Sequence, residues 1–149
     1  MPATKELTCR VVTPTEQLLD EPITYASIPA WDGLFGVLPG HAPLVAKLGT
    51  GELKLEFPSE SHGGGDRSYY VSGGFVQIAN DELIILADEA IPAEQLTPTD
   101  AKAELAEAEA RNVDPAAEDK AAAADELKLQ RDRARAKLRI AQSRAGKGI

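Results

Sequence analysis

Cysteine is almost missing from this sequence. Cys9 stands alone among 149 residues, so no disulfide can close within the chain. It falls in an apolar/polar alternation and reads as a buried small hydrophobe rather than a reactive thiol. No run approaches the roughly 20 apolar residues that a membrane-crossing helix needs. The first residues lack the basic-then-apolar grammar of a secretory signal, which leads to the expectation of a soluble cytosolic protein. Positive charge is scarce too: 16 Lys and Arg face 24 Asp and Glu, for a net charge of −8. That excludes the dominant basic footprint of a nucleic-acid binder. A phosphate-cradling glycine loop, a metal-ligand cluster and a nucleophile–base pair are also missing, so no catalytic, metal or cofactor-binding residue is expected.

What is present is unevenly spread. Residues 1–96 carry −9 and residues 97–126 carry −6, whereas residues 127–149 carry +7. An acidic chain thus ends in a basic segment, which suits an acidic partner surface. Large apolar side chains divide just as sharply, with 32 in residues 1–96 and 7 in residues 97–149, where 15 alanines replace them. The break near Pro92 to Pro98 predicts two domains, residues 1–92 and 93–149.

The first part has strand grammar. Leu7, Cys9 and Val11 alternate with polar residues, as do Ile23, Tyr25 and Ser27, and then Leu53, Leu55 and Phe57. Period two puts one face in and one face out. Denser runs follow at Tyr69–Val71 with Phe75–Ile78, and at Leu83–Ala87. Thr13-Pro14, Asp32-Gly33, Leu38-Pro39-Gly40, Gly49-Thr50-Gly51, Gly73-Gly74 and Asn80-Asp81 punctuate them as turns. Short strands at this spacing predict an all-β sandwich or barrel. Ser59 to Asp66, with its three glycines, reads as a mobile β-hairpin tip in which His62 is solvated.

The second part predicts an antiparallel two-helix hairpin. Thr97 is placed to cap the first helix, with Pro98 at its first position and Asp100 in its first turn. Ala101, Leu105 and Ala108 share one face. Asn112-Val113-Asp114 then breaks the pattern, leaving three residues between helices. Asp114 offers a second cap, Pro115 an opening and Glu118 a capping box. Leu127, Ala134, Leu138, Ala141 and Ala145 continue as a stripe. Alanine favours the helix but contributes little packing, so the helical hairpin is expected to be marginal on its own and free to change conformation.

One segment is distinctive. Ile28-Pro29-Ala30-Trp31-Asp32-Gly33-Leu34-Phe35-Gly36-Val37-Leu38-Pro39-Gly40-His41-Ala42-Pro43-Leu44 resembles the signature of the epsilon subunit of bacterial and chloroplast ATP synthases, the mitochondrial delta subunit. Tyr70-Val71-Ser72-Gly73-Gly74-Phe75 and Leu86-Ala87-Asp88-Glu89-Ala90 resemble the family's second and third signatures, in matching order. The resemblance spans about residues 5–145. The glycines permit positive φ or close backbone approach, and the prolines fix φ, so the segment reads as a rigid irregular loop.

The resemblance implies an all-β sandwich followed by an antiparallel two-helix hairpin, acting as a non-catalytic rotor subunit of a proton-translocating F-type ATP synthase. It implies a peripheral position on the cytoplasmic face of a bacterial inner membrane, without direct membrane insertion. The sandwich would grip the gamma subunit. The loop carrying Gly33, Leu34, Gly36, Pro39, Gly40 and His41 would face the proteolipid ring. Family members often carry an acid where Leu34 stands, and leucine removes that charge. His41 reads either as ring-facing or as structural. The helical hairpin would inhibit ATP hydrolysis through its basic second helix, with Lys128, Arg131, Arg135 and Arg139 meeting an acidic segment of the catalytic beta subunits. Arg133, Lys137 and Arg144 would lie on the other side. The same cations also suit a solvated helix end complementing its own dipole. Some relatives bind ATP where this chain has Leu96-Thr97-Pro98-Thr99-Asp100-Ala101. Thr97 replaces the pattern's acid and Asp100 its arginine, which predicts weak or absent ATP binding. The competing readings are a free-standing β-sandwich ligand binder and an adaptor with a helical tail.

Overall fold

The computed structural model describes residues 5–58 and 65–147, with side chains as far as 144. The chain divides into two compact units, Met1–Pro92 and Ala93–Ile149. The first is a β-sandwich. Its strands are β1 (Leu7–Val12), β2 (Gln17–Ile23), β3 (Tyr25–Ala30), β4 (Gly33–Val37), β5 (Leu44–Lys47), β6 (Thr50–Glu56), β7 (Asp66–Ala79) and β8 (Glu82–Pro92). They hydrogen-bond in the order β2-β1-β8-β7-β6-β3-β4, with β5 also on β7. The β1–β8 pair is parallel and the others are antiparallel.

Two strands, β7 and β8, run through both layers. The first half of β7 pairs with β6, its second half pairs with β5, and β8 follows it along both halves. Between the halves stand Gly73 and Gly74 with φ of +72° and +107°. A Cβ on Gly74 would collide with the Leu86 carbonyl oxygen. The glycine pair therefore bends one continuous strand instead of separating two, correcting the expected turn there. Asn80 and Asp81, both at positive φ, join β7 to β8. That is the two-residue turn that matches strand twist.

Alternation puts Leu7, Cys9, Val11, Leu53, Leu55, Val71, Val76, Ile78, Leu83 and Ile85 into one core. Burial pushes the Cys9 thiol up to about 12, with Asp20 adding to the effect. The expected Ile23-Tyr25-Ser27 face is corrected. Thr24 separates β2 from β3 and resets the phase, so Ile23, Ala26 and Ile28 point inward while Tyr25 and Ser27 are half-buried. The expected irregular loop is also corrected. Gly33–Val37 forms β4 and pairs with β3 from Ala30↔Gly33 to Ala26↔Val37. The tip expected at 59–66, with His62, lies mostly outside the described residues.

The second unit opens with a short 3-10 turn, Ala93–Gln95, followed by α1 (Pro98–Ala110) and α2 (Lys120–Lys147). Thr97 caps α1, its side chain accepting from the Asp100 N–H at 3.2 Å. The link to α2 runs from 111 to 119, longer than the three residues expected. Asp114 accepts from the Ala116 N–H at 2.9 Å, and its carbonyl accepts from the Ala117 N–H at 3.0 Å. With Pro115 in second place this is a β-turn, because Asp-Pro serves a turn as readily as a helix start. The cap of α2 is Asp119, whose carboxylate accepts from the Ala122 N–H at 3.0 Å. Ala101 and Ala108 on α1, and Ala134, Ala136, Ile140 and Ala141 on α2, are buried. Leu105, Leu127 and Leu138 are half-buried, and the side chain of Ala145 lies outside the described set.

Candidate functional site

The glycine-histidine segment forms an edge strand and a pinned turn. β4 is the last strand of its layer. Trp31 and Asp32 make the tight connection from β3, and Gly33 at φ +134° closes it. Trp31 and Leu34 are both 71% exposed and Leu38 is 60% exposed. Gly36 lies beneath Tyr25: a Cβ there would come within 2.8 Å of the Tyr25 hydroxyl. After β4 the chain turns sharply, with the His41 N–H donating to the Leu38 carbonyl at 3.2 Å. Gly40 takes φ +85° and donates its N–H to the Asp81 carboxylate at 2.7 Å. Asp81 therefore ties this turn to the β7–β8 turn, a link that sequence reading missed. His41 is half-buried, and its Nδ1–H donates to the Ala42 carbonyl at 2.7 Å. The six expected residues are thus held together, with Leu34 outward and His41 bonded locally.

A second feature was not foreseen. On the outer face of the other layer, Lys47 stands opposite Phe75, Phe75 opposite Leu86, and Leu86 opposite Val12. Phe75 is 56% exposed, Leu86 47%, and nearby Val45 68%. The signal lay inside the second and third signatures, which contain Phe75 and Leu86. Exposure of either could not be read before strand phase was known.

The basic face of α2 is divided. Arg131 donates from Nε to the Ala108 carbonyl at 3.2 Å and from Nη2 to the Arg111 carbonyl at 2.7 Å, closing the end of α1. Arg135 lies 3.9 Å from Glu109 and 3.5 Å from Asp132. Lys128 and Arg139 are exposed and have no hydrogen bond or ion pair among the described residues. Lys137, expected on the other side, meets Glu104 at 3.0 Å. Lys128, Arg131, Arg135 and Arg139 therefore do not form one free surface in this state.

At the ATP-pattern stretch, Thr97 Oγ1 serves as the helix cap and Ala101 is buried. Asp100 leaves its carboxylate in the exposed first turn. Elsewhere in this unit a cavity of about 250 Å³ is lined by Arg111, Asn112, Asp114, Glu126 and Gln130 among others. Its acids outnumber its base, which disfavours phosphate. Among the described residues no group of three or more His, Cys, Asp or Glu is placed to hold a metal.

Residues 6–93 match the sequence profile of the ATP synthase Delta/Epsilon chain, beta-sandwich domain. The ATP synthase epsilon chain of Myxococcus xanthus is 35% identical over 130 residues, covering 87% of this chain and 92% of that one. The sodium ion specific ATP synthase epsilon chain of Propionigenium modestum is 37% identical over 132 residues, covering 89% and 90%. A chain in the cryo-EM structure of the Euglena gracilis mitochondrial ATP synthase, with OSCP, F1 and c-ring, superposes with a TM-score of 0.73 at 26% identity. It covers 91% of this chain and 79% of that one. The bent two-layer sandwich, the glycine-histidine edge and the matched residues 6–93 together establish that this chain belongs to the delta/epsilon-chain family of ATP synthase subunits.

Proposed function

We propose that the sandwich is a torque-bearing platform of the central stalk and that the helical hairpin is a brake on ATP hydrolysis. As a member of its family the chain is a non-catalytic subunit of an F-type ATP synthase, peripheral to the membrane. No helix among the described residues is long and apolar enough to cross a membrane. The observation that carries the platform reading is the outward row of Val45, Phe75 and Leu86 on a well-packed sheet. Exposed apolar patches on rigid surfaces mark protein contacts, and the gamma subunit is the partner we assign to this one. We assign the tip formed by Gly33, Leu34, Gly36, Pro39, Gly40 and His41 to the proteolipid ring. With Trp31, Leu34 and Leu38 exposed there, the contact is apolar, where relatives with an acid would use charge. The basic α2 is assigned to an acidic segment of the catalytic beta subunits, on the cytoplasmic face of a bacterial membrane. We assign the choice of coupling ion to other subunits, since a sodium ion specific relative matches this chain as well as the others do.

Capture of the purified chain by gamma tests the platform. Phe75→Glu with Leu86→Glu should abolish capture, whereas removal of residues 93–149 should leave it intact. Retained capture by the double variant would move the shaft contact to another face. The brake is tested in the assembled enzyme, where the truncation should raise ATP hydrolysis and reversal of Arg131, Arg135 and Arg139 to glutamate should do the same. Flat hydrolysis in both would remove the inhibitory role. Calorimetry with ATP on the isolated chain should show no binding tighter than millimolar, since Asp100 repels phosphate.

A further inference from the structure

Residues 38–43 lead from β4 in one layer to β5 in the other. They contain one tight turn. The His41 N–H donates to the Leu38 carbonyl at 3.2 Å, with Pro39 and Gly40 in the central places and Gly40 at φ +85°. Proline second and a positive-φ glycine third make a type II turn. Types I and II differ by a flip of the central peptide, here Pro39–Gly40. Glycine takes either sign of φ readily, so local sequence leaves the orientation of that peptide weakly decided. What decides it lies 41 residues on, where the Asp81 carboxylate accepts from the Gly40 N–H at 2.7 Å. The His41 ring bonds only to the Ala42 carbonyl, so among the described residues the Asp81 contact is the one hydrogen bond that leaves the segment. In the flipped turn the Pro39 carbonyl oxygen would face that carboxylate, acceptor against acceptor.

Asp81 is an unusual residue for its own turn. Asn80 and Asp81, at φ 52° and 57°, connect β7 to β8. Glycine is favoured in the second place of such a turn, and Asp81 keeps a side chain there against that preference. A local rule broken beside a specific contact marks a side chain with a role. Its base is firm, because the Asp81 carbonyl accepts from the Thr8 N–H at 2.9 Å and fastens the residue to β1. We propose that Asp81 is the positioning residue of the tip: its carboxylate holds the Pro39–Gly40 peptide in the type II orientation and so sets how Leu38 and His41 are presented to the ring. This rests on the assignment of the tip to the proteolipid ring. It adds that the layer bearing Phe75 and Leu86 also aims the ring-facing turn. The contact is short and its acceptor is anionic, so the bond is charge-assisted.

The β7–β8 turn allows the carboxylate to be removed without harm to the fold. Asp81→Gly leaves an Asn-Gly pair, the preferred chemistry for that turn, so stability should be unchanged or raised. Asp81→Asn keeps an oxygen acceptor and tolerates the same φ. In the full chain, the Gly40 amide reports the bond by nuclear magnetic resonance. Asp81→Gly should speed its hydrogen exchange on the order of tenfold and move its proton shift upfield, while the amides of β7 and β8 stay protected. Asp81→Asn should return both toward the parent values. Membrane vesicles carrying the proteolipid ring and gamma should capture Asp81→Gly roughly three- to tenfold more weakly, as the competent turn becomes scarcer. They should capture Asp81→Asn nearly as well as the parent. A Gly40 amide that ignores Asp81→Gly would overturn the pin. Capture unmoved by Asp81→Gly, while Leu38→Glu weakens it, would overturn the positioning role and leave the ring assignment standing. Capture that stays weak in Asp81→Asn despite a restored Gly40 amide would do the same. If Leu38→Glu leaves capture unmoved, the ring assignment fails, and the Gly40 amide still decides whether Asp81 orients the turn.

Discussion

In the sandwich, Ile28, Leu53, Leu55, Val71 and Ile85 are wholly buried. In the helical hairpin the buried positions are alanines, with Ile140 the one larger side chain among those described. Burying a leucine contributes roughly 1.5–3 kcal/mol and a methyl far less. The hairpin makes up part of the difference with polar ties, Arg131 to α1 carbonyls and Lys137 to Glu104. Exposed ion pairs contribute at most about 1 kcal/mol each and are screened by salt. One unit is therefore held by a packed apolar core and the other mainly by small side chains and polar ties.

The comparison breaks first if the sandwich core proves soft. Leu55→Ala should cost about 2–5 kcal/mol in urea unfolding of residues 1–92, by lost transfer energy and a residual cavity. A loss below about 1 kcal/mol would mean that the layers collapse onto the gap. High pH probes the same core through Cys9. Its thiol, ordinarily near 9.0, is pushed up to about 12 by burial. The raised value means this contribution is complete below pH 9.0 and is lost as pH climbs toward 12, at about 1.4 kcal/mol per pH unit. Unfolding followed between those values should show an extra decline that Cys9→Ala removes. The corner is next: Gly74→Ala should cost about 1–3 kcal/mol, because its φ of +107° disfavours a side chain and the Leu86 carbonyl leaves no room. On the hairpin side, Thr97→Ala should cost about 1 kcal/mol. That loss should appear as faster amide exchange in α1 with no change in the strands, and a loss spread through both units would show them to be one cooperative body.

How much of this was legible follows from which residues face what. β1 and β6 could be read because one face is buried and the other wet, which writes period two directly into Leu7-Cys9-Val11 and Leu53-Leu55-Phe57. β2, β4 and β5 could not. Gln17–Ile23 carries Asp20, Glu21 and Pro22, Gly33–Val37 has two glycines, and Leu44–Lys47 has four residues. Edge strands are written with residues that resist further pairing, and such residues look like loop. The glycine-histidine segment was legible as a motif, but its tether through Asp81 was not, because the two are 41 residues apart. The role of Arg131 depended on the register between helices. The one clue was an α1 that stops without glycine. The longer link to α2 was hidden because Asp114-Pro115 fits a turn and a helix start equally well.

Strand β7 is a member of both layers, and β8 accompanies it around the Gly73–Gly74 corner. In a sandwich whose sheets meet only through side chains, a sideways load can slide one sheet over the other. Here a load taken up at the β3–β4 edge enters β6, passes into the first half of β7, and leaves through its second half along covalent backbone. The two layers thus share continuous backbone, and sliding one over the other would require breaking strand pairing along β7 and β8.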